Sequence, residues 1–377
     1  MIISVIRMRS LFLILFLSSS LFSSYSFNGY LKDMLTVNNS NDQYFFDNLV
    51  HNRLNFRWFI NNNFTFRVEM RNRIYNGELV SLYPNYDDLI DSQNDYFDLS
   101  TIPYSTNEIG IHLMLDRLSL RWVHVDWEIT LGRQRVNWGQ NLVWNPNDIF
   151  NAYSFFDFDY EERPGADALR IVRYLGFASK LEFAIKAAHN MDELTSAFLY
   201  KFNYKEYDIQ LITGVMQGDY TFGLGWSGNL MNAGFKGELS YFKDFELNNG
   251  DISSSISFDY SFENSLYLHI SGLYNGFGST DLNTENLLLN TQTRLSAKNL
   301  LPFKYAGLAQ TSYQFHPLVN GGIAVMFFPG QESLFINPNI GYSITQNFDL
   351  DAIAQIIYLG DGMSLQSSFF IRGKWSF

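Results

Sequence analysis

The stretch RLNFRWFINNNFTFRVEMR, residues 53 to 71, decides the fold. Apolar residues such as Leu54, Phe56 and Trp58 occupy every second position, and the positions between them are polar or charged except for Phe59. Successive side chains of a β-strand point to opposite faces, so this pattern predicts two strands joined by a turn at Asn61-Asn62-Asn63. One apolar face and one charged face are typical of a wall between lipid and water.

The same alternation recurs along the chain, most clearly in the last strand. Phe369, Ile371 and Trp375 share one face there, while Arg372 and Lys374 share the other. Most segments are about ten residues long, the length that a tilted membrane strand needs. The sequence therefore predicts an all-β protein, a transmembrane antiparallel β-barrel of about 18 strands. The predicted strands lie near residues 28–37, 49–60, 64–74, 107–123, 127–136, 166–175, 180–189, 195–204, 207–216, 219–227, 232–243, 251–261, 264–275, 303–315, 318–328, 333–343, 347–358 and 363–377.

Connection lengths divide into two groups, which predict short periplasmic turns and long extracellular loops. Long connections are expected at residues 38–48, 75–106, 137–165 and 276–302, all on one side of the barrel. Segment 107–123 changes phase near Asp116-Arg117, so it is either one bulged strand or two strands.

The two termini carry export signals. Arg7 and Arg9 precede the short apolar run Leu11–Leu17, and Ser24-Tyr25-Ser26 offers a cleavage site, so residues 1–26 are predicted to be a signal peptide and residues 27–377 the barrel. Phe377, with an aromatic residue two positions earlier, resembles the C-terminal signal that barrel-assembly machinery reads. We expect a protein of the outer membrane of a Gram-negative bacterium, in contact with lipid and lipopolysaccharide.

Composition narrows the function classes. A net charge of −12 argues against nucleic acid as a partner, because phosphates need a basic surface. None of the six His has metal-ligand spacing or lies in a nucleophile motif, so no enzyme, metal or cofactor is expected. The competing fold is a soluble β-sandwich with an aromatic core, which would not explain the amphipathic C-terminal strand.

Lumen-facing residues carry the functional prediction, because a barrel of this strand number leaves an aqueous lumen. The second and third strands place many cations on their polar faces, opposite loops that are rich in Asp and Glu. One interpretation is a charged constriction that filters polar solutes. The other is that wall charges pair across the lumen and the acidic loops only keep the surface soluble. The predicted pore-lining residues are Arg53, Arg57, Arg67, Arg71, Arg73, Arg133, Arg135 and Arg170.

Loop 137–165 is the candidate constriction loop. Asn145-Pro146-x-Asp148 is a turn signal, because Pro fixes φ and Asn or Asp bonds nearby backbone. Strict alternation from Ile129 and Leu131 points Arg133 and Arg135 at lipid, whereas a bulge at Gly132 would turn them into the lumen, which we favour. The constriction residues predicted in the loop are Trp138, Trp144, Asn145, Asp148, Asp157 and Asp159.

The central stretch resembles bacterial outer-membrane barrels of the alginate-export and porin-like kind. The likeness lies in Gly132-Arg133-Gln134, Trp138-Gly139, Asn145-Pro146-x-Asp148 and Asp167-Ala168-Leu169-Arg170. It implies an eighteen-stranded channel, lined with Arg in some members. The function expected is a porin-like channel for passive passage of polar, anionic or saccharide solutes. The alternative is a non-conducting surface protein, an adhesin or polysaccharide-assembly factor that acts through its extracellular loops.

Overall fold

A computed structural model describes residues 24–40, 43–82, 86–91, 95–152, 162–247, 249–280, 296–330, 333–359 and 363–377. It confirms the predicted fold class, a closed antiparallel β-barrel of 18 strands with few helices. The first strand pairs with the second and also with the last, over Tyr30↔Ser376 to Ser40↔Gln366, so the barrel closes on itself. Closure of this kind pairs the backbone groups of neighbouring barrel strands, which is how β-barrels can span a membrane.

The strands follow the predicted segments closely. Their bounds are β1 (Ser24–Ser40), β2 (Gln43–Phe59), β3 (Phe64–Gly77), β4 (Ser100–Ser105), β5 (Ile109–His124), β6 (Trp127–Gln134), β7 (Ala166–Tyr174), β8 (Lys180–Lys186), β9 (Thr195–Tyr204), β10 (Tyr207–Met216), β11 (Asp219–Leu230), β12 (Ala233–Asp244), β13 (Gly250–Ser261), β14 (Tyr267–Asn275), β15 (Tyr305–His316), β16 (Val319–Phe328), β17 (Ser333–Thr345), β18 (Phe348–Leu359) and β19 (Met363–Ser376).

Two short helices and β4 interrupt the connection that was predicted as loop 75–106. The helices are α1 (Glu78–Leu82) and α2 (Tyr86–Ile90). β4 pairs only with the upper part of β5, so it extends the wall without being one of the 18 barrel strands. No helix among the described residues is both long and apolar enough to cross a membrane.

The region around Asp116 is one bulged strand, which decides between the two alternatives left by the sequence. Glu69 pairs with Arg117 and Met70 pairs with Leu115, so Asp116 is an extra residue in β5. A bulge lets consecutive residues share one face. Asp116 and Arg117 are both buried, and Asp116 contacts two inward-facing arginines of the neighbouring strands.

One predicted long connection is wrong. Residues 38–48 were expected to be a loop, but β1 continues to Ser40 and β2 starts at Gln43, with Ser40 opposite Gln43. Backbone pairing, rather than the apolar pattern, holds these ends together. β1 also begins at Ser24, inside the segment predicted as signal peptide, and the rest of that segment lies outside the described residues.

Candidate functional site: the lumen and its constriction loop

The loop between β6 and β7, the candidate constriction loop, packs against inward-facing residues of the wall. Val136, Trp138, Ile149 and Phe150 form one buried cluster with residues that include Ala184, Leu199 and Ile212 of β8 to β10. A second cluster contains Val143 and Trp144, together with Leu273, Phe303, Leu308, Met326 and Phe335 from the far side of the barrel. The apolar core of this protein therefore lies inside the lumen.

Glu238 of β12 holds the loop by its backbone. Its Oε1 accepts hydrogen bonds from the backbone N–H groups of Gln140 (2.5 Å) and Asn141 (2.8 Å), and its Oε2 accepts one from Asn147 (2.9 Å). Glu238 and Asn147 are fully buried. A carboxylate that receives several N–H groups replaces the water that these groups lose on burial.

Hydroxyl and amide groups of the same wall complete the docking. Ser240 Oγ donates to the carbonyl of Pro146 (2.9 Å), and Ser255 Oγ donates to the carbonyl of Trp144 (2.9 Å). Gln210 Nε2 donates to the carbonyl of Trp138 (2.8 Å), whose own indole N–H donates to Glu182 (2.7 Å). β8, β10, β12 and β13 thus all bind the loop.

The residues of the sequence motif pack on one another inside this loop. Asp148 N–H donates to the carbonyl of Asn145 (3.0 Å), which confirms the predicted turn. A Cβ at Gly139 would clash with the side chain of Asn145, so glycine is required there. Asp148 is fully buried and accepts a hydrogen bond from Trp138 N–H (3.3 Å). Burial raises the pKa of Asp148 to about 7, against the opposing effect of Arg163 and Arg135.

The predicted constriction residues Trp138, Trp144, Asn145 and Asp148 are therefore all buried in the docked part of the loop. Asp157 and Asp159 lie outside the described residues. The return segment of the loop reaches the opposite wall, where Glu162 contacts Arg53 Nε (3.3 Å) and accepts from Tyr30 Oη (3.1 Å). The loop therefore connects two walls of the barrel.

The basic wall is built on β2, β3 and β5. Arg53 is fully buried and forms ion pairs with Asp116 and with Glu69 (2.6 Å). Arg71, also buried, lies 3.8 Å from Asp116. The side chains of Arg57 and Arg67 are 48% and 37% exposed, whereas Glu69, their shared partner, is 3% exposed. Cations therefore cover the carboxylate on the lumen side.

The same layering continues onto β6, β7 and β8. Arg170 Nη1 lies 2.8 Å from Glu128, and its Nε lies 2.6 Å from Glu182. Lys180 Nζ is 2.7 Å from Glu182. Both carboxylates are buried, and each cation is more exposed than the carboxylate it contacts. The open face of these pairs is consequently positive.

Three predicted pore-lining arginines differ from that group. Arg73 donates to the Ile90 carbonyl (2.9 Å), so it supports α2 at the loop end of the barrel. Arg135 is exposed at the start of the constriction loop, and its charge acts on Asp148. The lumen was favoured for Arg133, but its side chain is buried in the wall, where it donates to both oxygens of Asp167 (2.9 and 2.7 Å) and to the Phe97 carbonyl.

Gly132 precedes Arg133 on β6 and has an unusual backbone conformation. Its φ is +110°, a value that L side chains rarely adopt, yet the pairing with β5 runs through Ser119↔Gly132 and Leu118↔Arg133 without a register shift. The bulge considered at Gly132 is therefore absent from the described β5–β6 pairing. Arg133 faces neither open lumen nor lipid, because residues of the connection before β4 cover it.

Sequence reasoning missed Glu238 and Glu182, the two buried carboxylates that hold the loop. Alternation puts both on polar faces, but nothing local marks them as loop-binding residues, since the loop residues that they bind lie 44 or more residues away in the sequence. Among the described residues, no cluster of three or more His, Asp or Glu side chains could hold a metal ion.

Comparisons with known proteins show what this barrel is similar to. No family model matches the chain, and no curated protein does. The outer membrane protein OpdK of Pseudomonas aeruginosa has a TM-score of 0.59 at 8% identity, with 94% of this chain and 98% of that chain covered. OccAB4 of Acinetobacter baumannii has a TM-score of 0.57 at 9% identity over 94% and 98%. A structure of OpdK with vanillate has a TM-score of 0.55 at 8% identity, with the same coverage. The likeness shows the fold, a porin-like barrel.

Proposed function

We propose that this chain is a porin-like channel of the outer membrane of a Gram-negative bacterium, for passive passage of polar, anionic or saccharide solutes. The observation that carries the proposal is the layering of charge on β2, β3 and β5 to β8. Glu69, Glu128 and Glu182 are buried behind guanidinium or ammonium groups that are more exposed than they are, so the face toward the lumen is positive there. A ring of cations favours anions in a pore.

The docked constriction loop supports a selective channel rather than a wide one. Its described residues pack against inward-facing residues of β8 to β17, and the side chains of Arg57 and Arg67 are 48% and 37% exposed. The proposal extends to export by residues 1–26, to contact with lipid and lipopolysaccharide, and to insertion by barrel-assembly machinery that reads Phe377. The fold is shared with OpdK, which has been solved with vanillate.

Kinship with alginate-export-like barrels is the finer part of the proposal. Its support is that motif residues Gly139, Asn145 and Asp148 pack together in the constriction loop. The acidic net charge of −12 distinguishes this chain from a channel built wholly for polyanions. We therefore favour small anionic or saccharide solutes over alginate itself.

Recording from purified, folded barrels in planar bilayers tests the function. We expect ion conductance with anion preference, and a lower anion preference in the variant Arg57→Ala/Arg67→Ala, because two exposed lumen cations are removed. Arg173→Ala is the matched control, since Arg173 lies over Trp127 and beside Asp126 on the outward register. A folded barrel without conductance would overturn the proposal in favour of a surface protein that acts through its loops.

A further inference from the structure

The outward face of the barrel is strongly apolar over most of its circumference. The register places residues such as Leu211, Phe222, Ile256 and Ile270 outward, and they are exposed. Among the described residues of β8 to β18, no Asn, Gln, Asp or Glu falls on the outward register. This is the surface that a barrel presents to lipid.

The outward face of β1, β2 and β3 departs from this pattern. Asp33 lies between the exposed Leu31 and Leu35 on β1, and Asn48 and Asn52 share the outward register of β2. Asn72 of β3 pairs with Asn52. We call Asp33, Asn48, Asn52 and Asn72 the outward amide patch.

Hydrogen bonds link the outward amide patch across the three strands. Asn48 Nδ2 donates to Asp33 Oδ1 (2.6 Å), and Asn72 Nδ2 donates to Asn52 Oδ1 (3.0 Å). Asn52 Nδ2 donates to the backbone carbonyl of Tyr30 (3.0 Å). Each amide retains further donor or acceptor capacity, because a carboxamide carries two N–H groups and two lone pairs.

The patch lies at the depth of the hydrocarbon layer. Along the outward register of β2, Tyr44 and Phe46 lie above it, and Phe56 and Trp58 lie below it. Such aromatic residues mark the two interfaces of a membrane barrel. Hydrocarbon offers no hydrogen-bond partner, so polar side chains at this depth are costly unless another protein surface covers them.

The chemistry of the patch identifies the occupant. Among the described residues, the outward registers of β1, β2 and β3 contain no Lys or Arg, so lipid phosphate finds no cation there. Carboxamides both donate and accept, and a surface of this kind is complementary to itself across a two-fold axis. Gly373 of β19 pairs with Asp33 and leaves its flank without a side chain, which permits close approach.

We propose that the outward amide patch is the contact surface between two copies of this chain in the membrane. The proposal rests on the membrane location proposed above. It does not depend on the pore, because the patch and the lumen are on opposite faces of the wall.

Cross-linking in intact outer membranes tests this directly, because the native chain contains no Cys and each introduced thiol is unique. We expect a short bis-maleimide to give a species of two chains with Asn48→Cys and with Asn52→Cys. Ser254→Cys, on the outward face of β13, is the matched control and should remain a single chain. Cross-linking to a different protein, or none at either patch position, would overturn the proposal.

A second variant tests whether the amides themselves drive contact. In the Asn48→Cys background, Asn52→Leu/Asn72→Leu should lower the yield of the two-chain species at least tenfold, while the heat-modifiable gel shift of a folded barrel persists. Unchanged yield in a folded variant would overturn the proposal. Absence of conductance would overturn the proposed channel and leave the cross-linking result intact, so the two failures are distinguishable.

Discussion

Glu238→Gln is the sharpest perturbation of the constriction loop. The carboxylate accepts three backbone N–H groups, two on Oε1 and one on Oε2, all inside the barrel. The substitution preserves volume and keeps one carbonyl oxygen for Gln140 and Asn141. It replaces the other oxygen with an NH₂ group, which then faces the N–H of Asn147, donor against donor.

The magnitude follows from these contacts. Hydrogen bonds to a charged group contribute about 1.5–3 kcal/mol each, and an unsatisfied buried donor costs about 1–3 kcal/mol. Glu238→Gln loses the hydrogen bond to Asn147 and leaves the Asn147 N–H buried without an acceptor. Together these two effects weaken docking of the loop by roughly 3 kcal/mol or more. Since about 1.4 kcal/mol is a tenfold change, the equilibrium between docked and undocked loop shifts by roughly a hundredfold or more.

Single-channel recording in planar bilayers measures this shift. We expect Glu238→Gln to add higher-conductance levels and larger current fluctuations, because the loop leaves the wall more often. Glu193→Gln, an exposed acid in the connection after β8, is the control and should behave like the native protein. A folded Glu238→Gln barrel with the native distribution of conductance levels would refute the idea that Glu238 holds the loop.

Three further outcomes follow from the site. Because burial raises the pKa of Asp148 to about 7 from 3.8, the docked loop favours its protonated form, so docking is strongest at low pH and weakens as pH rises from about 4 to about 7. Asp148→Asn should reduce this pH dependence of current fluctuations. Gly139→Ala should loosen the loop at every pH, seen as faster proteolysis of residues 137–165, because its Cβ meets Asn145. Arg133→Ala should lower the free energy of unfolding in urea by about 3–5 kcal/mol, since it leaves Asp167 charged and buried, and Arg133→Ala/Asp167→Ala should cost less than the single change.

The strands could be predicted because lipid enforces a period of two. Every strand that crosses hydrocarbon needs one apolar face, so segments such as Leu54–Trp58 can be recognised as strands from the local sequence. Strand ends that extend beyond the hydrocarbon layer do not need an apolar face. The ends of β1 and β2 continue with polar residues to Ser40 and Gln43, and the pattern could not separate them from a loop.

The docking partners of the loop could not be predicted, because they are tertiary. Glu238 lies 98 residues from Gln140, and only the closed barrel brings the two together. The same holds for Arg133. Alternation allowed the Arg133 side chain to face either lipid or the lumen. In the fold, the segment around Phe97 covers this side chain, and its guanidinium pairs with Asp167 inside the wall.

The constriction loop and the basic wall should control different properties of the channel. Glu238 binds the backbone of residues 140–147, whereas the basic wall contacts the loop at Glu162, so the loss of Glu238 acts on the width of the lumen beside β12. Arg57 contacts the Glu69 carboxylate, which also contacts Arg53 of β2 and Arg67 of β3. Among the described contacts, Arg57 and Glu238 have no hydrogen-bond or ion-pair partner in common. Changes at sites that share no partner add in free energy. In a barrel that carries both Arg57→Ala and Glu238→Gln, the loss of anion preference should therefore equal that of Arg57→Ala alone, and the added conductance levels should equal those of Glu238→Gln alone. A selectivity change caused by Glu238→Gln itself would mean that the docked loop, and not the wall, chooses the ion.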